Sequence, residues 1–359
     1  MTLCVLDEAD VLDAHLAFHL HAGVDHIIAT DTAGSAETVA VLERYQRAGV
    51  LELWRDHSRP FPQAALRTRM ARAAATDFAA DWVFSSDVDE FWWPRGRDLK
   101  SVLEALPSRY GVVSGIWRPF VARPDDGSPF YERMTVRLSP AHAINDPTSK
   151  FRPSAKVAHR AHSKAVVQGG SHSVSGTTLV PLQGWYPIEV LHFPMRSPRQ
   201  MKNKYENGAS HLGYDAAGYI RRAVVADAVR GSGGAFAELL VDDDALEQGL
   251  AAGVLTVDTR LRDALRTIHD PGEGRFALPG ERAPLAFPAP SVIDDARFAA
   301  DVAALGDASL VRAQRRLDDL ERRLRAVEHH PAVRLRNGVR RLARKARLRR
   351  QRTGPGVAP

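Results

Sequence analysis

Cysteine is almost missing from this sequence: Cys4 stands alone among 359 residues, so these residues can form no internal disulfide. Long apolar runs are also missing, since no stretch approaches the roughly 18–20 consecutive apolar residues that a membrane-spanning helix needs. The first ten residues turn acidic at once and contain no basic segment, so we expect no secretory signal. Together these absences predict a protein of a reducing cytoplasm.

Several catalytic motifs are absent as well. No glycine-rich loop is followed by G-K-[ST], and no G-x-S-x-G elbow occurs, so P-loop and serine-hydrolase chemistry have no support. His15 and His19 are one helical turn apart, as two zinc ligands can be. The glutamate of the H-E-x-x-H motif is missing, however, and leucines follow both histidines, which favours packing in a core.

The positive charge is concentrated near the end of the sequence. The formal net charge is +6, and residues 331–352 hold ten Lys and Arg and no acid, so subtracting ten leaves about −4 for the remainder. The body of the protein is therefore mildly acidic, and the overall basicity does not indicate a nucleic-acid-binding domain. With 44% hydrophobic residues the chain can bury a sizeable core.

Strands and helices are predicted to alternate over the first 86 residues. The predicted strands are 3–6, 26–30, 50–54 and 82–86, and the predicted helices between them are 8–22, 37–48 and 63–80. This alternation indicates βαβ units and a mainly parallel sheet flanked by helices. Shorter β-like runs follow at 111–117, 135–138, 165–167 and 188–193, and Ser197-Pro198 is predicted to begin a helix.

The last predicted strand of this series runs directly into acidic residues, in the stretch DWVFSSDVDEFWWP at 81–94. Asp87 and Asp89 would point to the same side of an extended chain. Two carboxylates so close repel each other unless a cation lies between them, and Mg²⁺ or Mn²⁺ could bind there together with a diphosphate. A solvated acidic turn is the alternative. The aromatic residues at 91–93 suit a partly dry pocket for a sugar or base, and they could equally fill a core.

The first 95 residues resemble the family 2-like glycosyltransferases of the GT-A fold, in a bacterial branch with a D-x-D-E-F motif. The resemblance rests on Asp87 to Phe91 and on the following segments: Asp7-Glu8-Ala9-Asp10, Phe18-His19-Leu20, Gly23-Val24-Asp25-His26, Asp31-Thr32-Ala33-Gly34-Ser35, Gly170-Ser171-His172 and Leu191-His192-Phe193. Two departures concern recognition of the donor base. Asp7 stands where the family often has Asn, and the 31–37 loop has Glu37 instead of a second Asp.

The resemblance implies a role for each acidic residue. Asp31 would lie near the base or ribose of a nucleotide-sugar, and Asp87 would contact the ribose or the metal. Asp89 would ligate Mg²⁺ or Mn²⁺ directly, and Glu90 would orient the loop or the acceptor. The candidate catalytic carboxylates are Asp89, Glu90 and a general base near the acceptor, for which Glu132 is chosen over its neighbours at 125 and 126.

Basic side chains and histidines complete the predicted site. The resemblance also implies that a later histidine completes the metal shell: His172, after two glycines, is the first choice and His192, on an apolar strand, is the second, with packing in a core equally expected for His192. Lys156 and Arg160 are candidates to neutralise the diphosphate, with solvated charge as the ordinary alternative.

The predicted function is transfer of a sugar from a nucleotide-diphospho-sugar to a hydroxyl of a cell-envelope or lipid-linked glycan, with inversion. The alternatives are nucleotidyl transfer and a non-catalytic adaptor with a degenerate fold. The predicted domains are a GT-A-like catalytic domain at 1–212, a helical accessory region at 213–305 and helices at 306–352. A leucine heptad at 310–327 predicts self-association, and the basic 331–352 helix predicts attachment to an anionic membrane surface rather than nucleic acid.

Overall fold

The computed structural model describes residues 1–58, 62–139, 154–176, 179–203 and 240–329. The chain divides into two compact units, Met1–Leu305 and Gly306–Pro359. No helix within the described ranges is both long enough and apolar enough to cross a bilayer. The predicted segments 213–239 and 331–352 lie outside the described residues, and the division into three predicted domains stays a prediction.

The first part of the chain alternates between strands and helices, as predicted. Its elements are β1 (Thr2–Val5), α1 (Ala9–His21), β2 (Ile27–Asp31), α2 (Ala36–Arg47), β3 (Leu51–Arg55), α3 (Gln63–Thr76) and β4 (Trp82–Ser86). After the acidic turn come β5 (Glu90–Pro94), α4 (Leu99–Glu104), β6 (Tyr110–Pro119), α5 (Phe130–Arg133), β7 (Val136–Leu138), β8 (Ala155–Arg160), β9 (Val166–Val167), β10 (Val174–Ser175), β11 (Val180–Pro181) and β12 (Ile188–His192).

The described part of the chain beyond residue 240 contains strands as well as helices. Its elements are α6 (Asp243–Ala251), β13 (Leu255–Val257), α7 (Arg260–Ile268), β14 (His269–Asp270), β15 (Arg275–Phe276) and α8 (Val292–His329). The predicted helical and irregular accessory region at 213–305 stays a prediction, and its described part contains three short strands beside its helices. The heptad segment 310–327 lies within the long helix α8.

Side-chain caps begin three of the helices, α2, α4 and α6. Ser35 caps α2 by accepting a hydrogen bond from the Thr38 amide at 3.3 Å. Asp98 caps α4 in the same way through the Ser101 amide at 2.8 Å. Asp242 is the equivalent cap of α6. Such a cap satisfies one of the amides that the first helical turn leaves without a partner.

The main sheet has the strand order β3-β2-β1-β4-β8-β6-β12-β5, with β11 paired to β6. Its first four strands are parallel, whereas β8 runs antiparallel to β4 and β6, and β5 runs antiparallel to β12. The predicted α/β class, with a mainly parallel sheet flanked by helices, is confirmed. Pairing of β1 with β2 aligns Val5 with Asp31, so the carboxyl ends of these strands meet at one edge.

Apolar side chains of alternating parity cover the two faces of the sheet. In the larger cluster, strand residues such as Leu3 of β1 and Ala29 of β2 pack against α1, α2 and α7. A smaller cluster packs Ile28 and Val83 against Met70 and neighbouring alanines of α3. Because successive strand residues point to opposite faces, α1 and α3 lie on opposite sides of the sheet.

Candidate functional site

The predicted site residues around position 87 lie at the carboxyl edge of the sheet. Ser86 ends β4 beside Leu3 of β1, and residues 87–89 form a turn that leads into β5. The antiparallel course of β8 brings its first residues, including Lys156, to the same edge. Pairing of β12 with β5 sets His192 opposite Glu90. Topology thus gathers residues that are far apart in sequence.

Two buried cations bind the first and third acids of the turn. The Nζ atom of Lys156 lies 2.8 Å from Oδ2 of Asp87 and 2.8 Å from Oε1 of Glu90. Arg67, from α3, donates to the other oxygen of Asp87 and, at 2.8 Å, to the hydroxyl of Ser171. The indole of Trp117 donates to Oε1 of Glu90 at 2.9 Å. These contacts form one buried ionic network.

The second acid of the turn, Asp89, faces His192 and a third buried cation. Oδ1 of Asp89 lies 3.6 Å from Nε2 of His192, and its Oδ2 lies 3.8 Å from Nη1 of Arg196. Arg196 also forms a bidentate ion pair with Asp10, in which Nε donates to Oδ2 at 2.6 Å and Nη2 donates to Oδ1 at 3.0 Å. The ring of His192 stacks on Trp117 with 4.2 Å between ring centroids. We call Asp87, Asp89 and Glu90 the acidic cluster.

Burial and charge move the pKa values within the acidic cluster in opposite directions. Burial alone would raise the pKa of Asp87, but the charges of Arg67 and Lys156 outweigh it and lower that pKa well below its ordinary value. Burial raises the pKa of Glu90, with Lys156 acting against it and Asp87 adding to it. Asp87 is therefore held ionised, while Glu90 has the higher proton affinity of the two.

Asp31 stands at the carboxyl end of β2, as predicted for a nucleotide-contacting residue. Its Oδ1 atom accepts a hydrogen bond from the Gly34 amide at 2.8 Å, and Oδ2 lies 3.5 Å from Nε2 of His57. The carboxylate is therefore used in part to shape the loop that follows it. Because β1 lies between β2 and β4, Asp31 and Asp87 end strands two positions apart along the same edge.

The turn that carries His172 packs against this network. Gly170 has φ +70°, and a Cβ there would lie 2.7 Å from the His172 ring, so a side chain at this position would collide with it. Nδ1 of His172 is hydrogen-bonded to the carbonyl of Ala155 at 2.8 Å. The ring lies edge-on to Trp117 at a centroid distance of 6.3 Å. His172 therefore lines the same region through Trp117.

Two predicted residues have their contacts elsewhere. Arg160 ends β8, lies over the ring of Trp82 and donates to the carbonyls of Tyr110 and Leu106, each at 3.0 Å. Since Trp82 begins β4, the antiparallel pairing puts Arg160 at the end of β4 remote from Asp87. The structure therefore corrects the grouping of Arg160 with Lys156.

Glu132, the candidate general base, lies on α5 and forms a bidentate ion pair with Arg266 of α7. Both of its carboxylate oxygens are used in that pair. Its role as a base stays a prediction, and Glu90 and Asp89 are the candidate catalytic carboxylates that the structure brings together.

A divalent cation fits part of the predicted ligand set. Asp89 and His192 face each other at 3.6 Å, beyond hydrogen-bond distance, which suits two ligands of one ion. Asp87 instead gives its two oxygens to Arg67 and Lys156. Within the described residues, no group of three or more His, Cys, Asp or Glu side chains is arranged to hold a metal. The fit is therefore limited to the Asp89–His192 pair.

Sequence reasoning missed two of the three buried cations, Arg67 and Arg196. Arg67 could have been noticed, because it shares a helix face with Met70, Ala71 and Ala74, where an arginine is out of place. Arg196 follows β12 in an irregular segment and gives no periodic signal. Trp117 was identified only as the end of a strand.

Comparisons with known proteins find distant structural likeness only. No protein-family model and no curated protein matches the sequence. Similar solved structures include S. aureus TarS 1–349, at 8% identity and a TM-score of 0.30 over 58% of this chain and 65% of that chain. S. aureus TarS 1–349 in complex with UDP-GlcNAc has 9% sequence identity and a TM-score of 0.29, over 58% of this chain and 66% of that chain. Another S. aureus TarS structure has 11% sequence identity and a TM-score of 0.29, over 58% of this chain and 40% of that chain.

This chain covers less than two thirds of the length of each of those structures. A likeness at this TM-score establishes neither a family nor an activity for this chain.

Proposed function

We propose that this protein is a glycosyltransferase that moves a sugar from a nucleotide-diphospho-sugar to an acceptor hydroxyl. The observation that carries the proposal is the acidic cluster at the carboxyl edge of a mainly parallel sheet, the position at which open α/β sheets bind ligands. Asp87 is the member of the cluster that solvent reaches, with 33% of its side chain exposed, whereas Asp89 and Glu90 are buried. A donor would therefore meet Asp87 first.

The proposed arrangement assigns the nucleotide to the strand ends. Asp31 and Asp87 flank the end of β1, and a ribose hydroxyl can donate to Asp87 because a carboxylate accepts more hydrogen bonds than its two cations use. In the reaction the bond between the anomeric carbon and the diphosphate breaks, and a bond to the acceptor oxygen forms. The acceptor proton passes to a carboxylate, for which Asp89, Glu90 and Glu132 are the candidates.

The charges of the network leave a role for a metal ion. Four acids (Asp10, Asp87, Asp89 and Glu90) face three cations (Arg67, Lys156 and Arg196), so the network has no excess positive charge for a diphosphate. A divalent cation on Asp89 and His192 would supply that charge to the leaving diphosphate. An imidazole ligand favours Mn²⁺ over Mg²⁺, whose ligands are oxygens.

The test is a thermal-shift screen of nucleotide-sugars, including UDP-GlcNAc, with and without Mn²⁺. We expect the Tm to rise most when donor and Mn²⁺ are present together, because a ligand that binds only the folded state stabilises it. Asp89→Asn and His192→Ala should remove the Mn²⁺-dependent part of the rise. Asp126→Asn, which changes an exposed acid of the 125–127 turn, is the matched control and should leave it intact.

Products separate this proposal from its alternatives. With donor labelled in the sugar, a glycosyltransferase transfers the label to acceptor, whereas a nucleotidyltransferase transfers a label placed in the nucleotide. Donor binding that survives deletion of residues 306–359 agrees with an enzyme and speaks against an adaptor that acts through its tail. Absence of any donor-dependent stabilisation across the screen would contradict the proposal.

A further inference from the structure

A large cavity lies on the face of the sheet opposite the acidic cluster. Its volume is about 810 Å³, and its lining includes Trp93, Glu189 and the first turns of α8. Trp93 stacks on Phe18 of α1, so it points to the α1 face of the sheet. Glu189 pairs with Trp93 in register and shares that face. Trp117 and His192 have the other parity and face away from the cavity.

The cavity is lined by buried charged side chains, most of which are paired with one another. Arg118 donates to Glu189 at 2.6 Å, and Arg260 donates to the other oxygen of Glu189 at 2.8 Å. Arg137 and Arg260 share Asp258, at 2.9 and 2.7 Å. Each of these guanidinium groups therefore has a buried carboxylate as its partner, which is the condition for keeping a charge out of water.

Arg95 is the exception in this lining. Its side chain is 9% exposed, but its carboxylate partner Asp295 is 62% exposed. Its guanidinium carbon lies 3.4 Å from the centroid of the Phe298 ring, and Nη1 is buried with no hydrogen-bond partner among the described residues. With Asp295 included, four arginines (95, 118, 137 and 260) face four acids (189, 258, 295 and 301), and the one exposed acid of these four is the partner of Arg95. A buried donor without an acceptor carries a desolvation cost, and an oxyanion beside Arg95 would relieve that cost.

We propose that this cavity binds a small oxyanion, a phosphate ester or a carboxylate, that has an aromatic or aliphatic body. Arginine presents a planar set of donors that fits both oxyanions. The rings of Trp93 and Phe298 lie under the guanidinium groups of Arg260 and Arg95, so apolar surface adjoins the cationic groups. The site is separate from the proposed donor site and does not depend on the proposed function.

The test uses three probes of one shape on the full-length protein: phenyl phosphate, benzoate and benzamide. We expect phenyl phosphate or benzoate to raise the Tm by about 2–4 °C at ten times its Kd, whereas neutral benzamide should have no effect. The two anionic probes distinguish a phosphate ester from a carboxylate as the ligand chemistry. Arg95→Gln should weaken the response at least tenfold in apparent Kd.

Control variants separate the cavity from other arginines and from the donor site. Arg44→Gln, outside the cavity, and Asp87→Asn, at the acidic cluster, should both keep the response of the wild-type protein. Arg95→Lys keeps the charge but loses the planar donors, and it replaces Arg95→Gln in the test if that variant fails to fold. We expect the Kd of Arg95→Lys to lie between that of the wild type and that of a variant without the charge. An equal rise in wild type and Arg95→Gln, or no rise with either anion, would overturn the proposal.

Discussion

At the scale of single residues, buried ion pairs dominate the candidate site. Lys156 is 2% exposed and is shared by Asp87 and Glu90, and Arg67 is completely buried beside them. Removing one member of such a network leaves an uncompensated charge in the interior, which costs more than the intact pair contributes. The network therefore constrains which substitutions the site tolerates, whatever its catalytic role.

Lys156→Met should lower the free energy of unfolding by about 3–5 kcal/mol at pH 7, because Asp87 and Glu90 lose their shared cation. The loss should shrink as the pH falls, first when Glu90, whose pKa is raised, becomes protonated, and only at much lower pH when Asp87, whose pKa is lowered, follows. Urea denaturation at several pH values measures this. The exposed Lys100, paired with Asp25 on the surface, is the control, and Lys100→Met should cost only about 0–1 kcal/mol. A pH-independent loss would show that Lys156 acts through packing alone.

His15 is a second residue whose charge state matters. It is completely buried beside Phe91, at a centroid distance of 5.5 Å, and burial lowers its pKa to about 3. His19 is buried next to it, and its Nε2 accepts a hydrogen bond from the Trp92 amide at 3.1 Å. Both histidines therefore serve the core, as their leucine neighbours indicate.

The pKa of His15 is lower in the folded state than the ordinary value of about 6.5, so the unfolded chain binds more protons between these values. Folding stability from this residue is present above about pH 6.5 and is lost as the pH falls towards 3. His15→Leu should reduce the acid-dependent loss by about 1.4 kcal/mol per pH unit between pH 6 and 4. His15→Gln should give the same slope, and a slope equal to that of wild type would refute the assignment.

At the scale of secondary-structure elements, the sequence predicted the βαβ series well. The predicted strand at 82–86 is confirmed at both ends, because its apolar run is local and bounded by a charged turn. β5 was missed, since its residues Glu90 to Trp93 were identified as a motif and as pocket or core aromatics. β8 was missed because Lys156, His159 and Arg160 interrupt its apolar pattern, and only pairing with β4 and β6 makes these residues a strand.

Three elements are joined by one buried carboxylate. Glu189 of β12 accepts from Arg118 of β6 at 2.6 Å and from Arg260 of α7 at 2.8 Å. Burial opposes its ionisation, but the charges of Arg118 and Arg260 outweigh burial and lower its pKa. The stability that Glu189 contributes is therefore present above the unfolded value of about 4.3 and is lost as the pH falls below it.

Glu189→Gln should cost about 3–5 kcal/mol at neutral pH, because two guanidinium groups lose a buried partner. The difference from wild type should narrow below about pH 4. Chemical denaturation followed by a fluorescent label on α7 and by circular dichroism would detect whether this helix detaches before the rest of the protein unfolds. Glu281→Gln, at an exposed pair with Arg275, is the control and should change stability by about 0–1 kcal/mol. Equal losses in the two variants would contradict the network.

At the scale of the whole molecule, the leucines of α8 remain to be explained. Leu317, Leu320 and Leu324 are spaced like one face of a helix and are 55%, 61% and 59% exposed. Exposed leucines on a common helix face are typical of a contact with a second helix. Self-association through residues 310–327 stays a prediction that this exposure makes testable.

Leu320→Ser combined with Leu324→Ser should convert a concentration-dependent oligomer into a monomer, because the substitutions remove apolar surface from the contact. Sedimentation velocity over a hundredfold range of concentration would measure this. Arg322→Ser, also exposed on α8, is the control for a general effect on the helix and should not change the sedimentation coefficient. A wild-type protein that stays monomeric throughout would refute self-association.

The sequence alone determined the alternation of strands and helices and the location of Asp31 and Asp87 at strand ends, because both follow from local hydrophobic periodicity. Only the tertiary structure decided which cations meet those acids. Strand register fixes the position of Lys156 on β8 and of the end of β12, from which the chain leads to Arg196. Packing of α3 on the sheet places Arg67. A charge pattern in sequence cannot specify its partner, because pairing depends on which edges of the sheet come together.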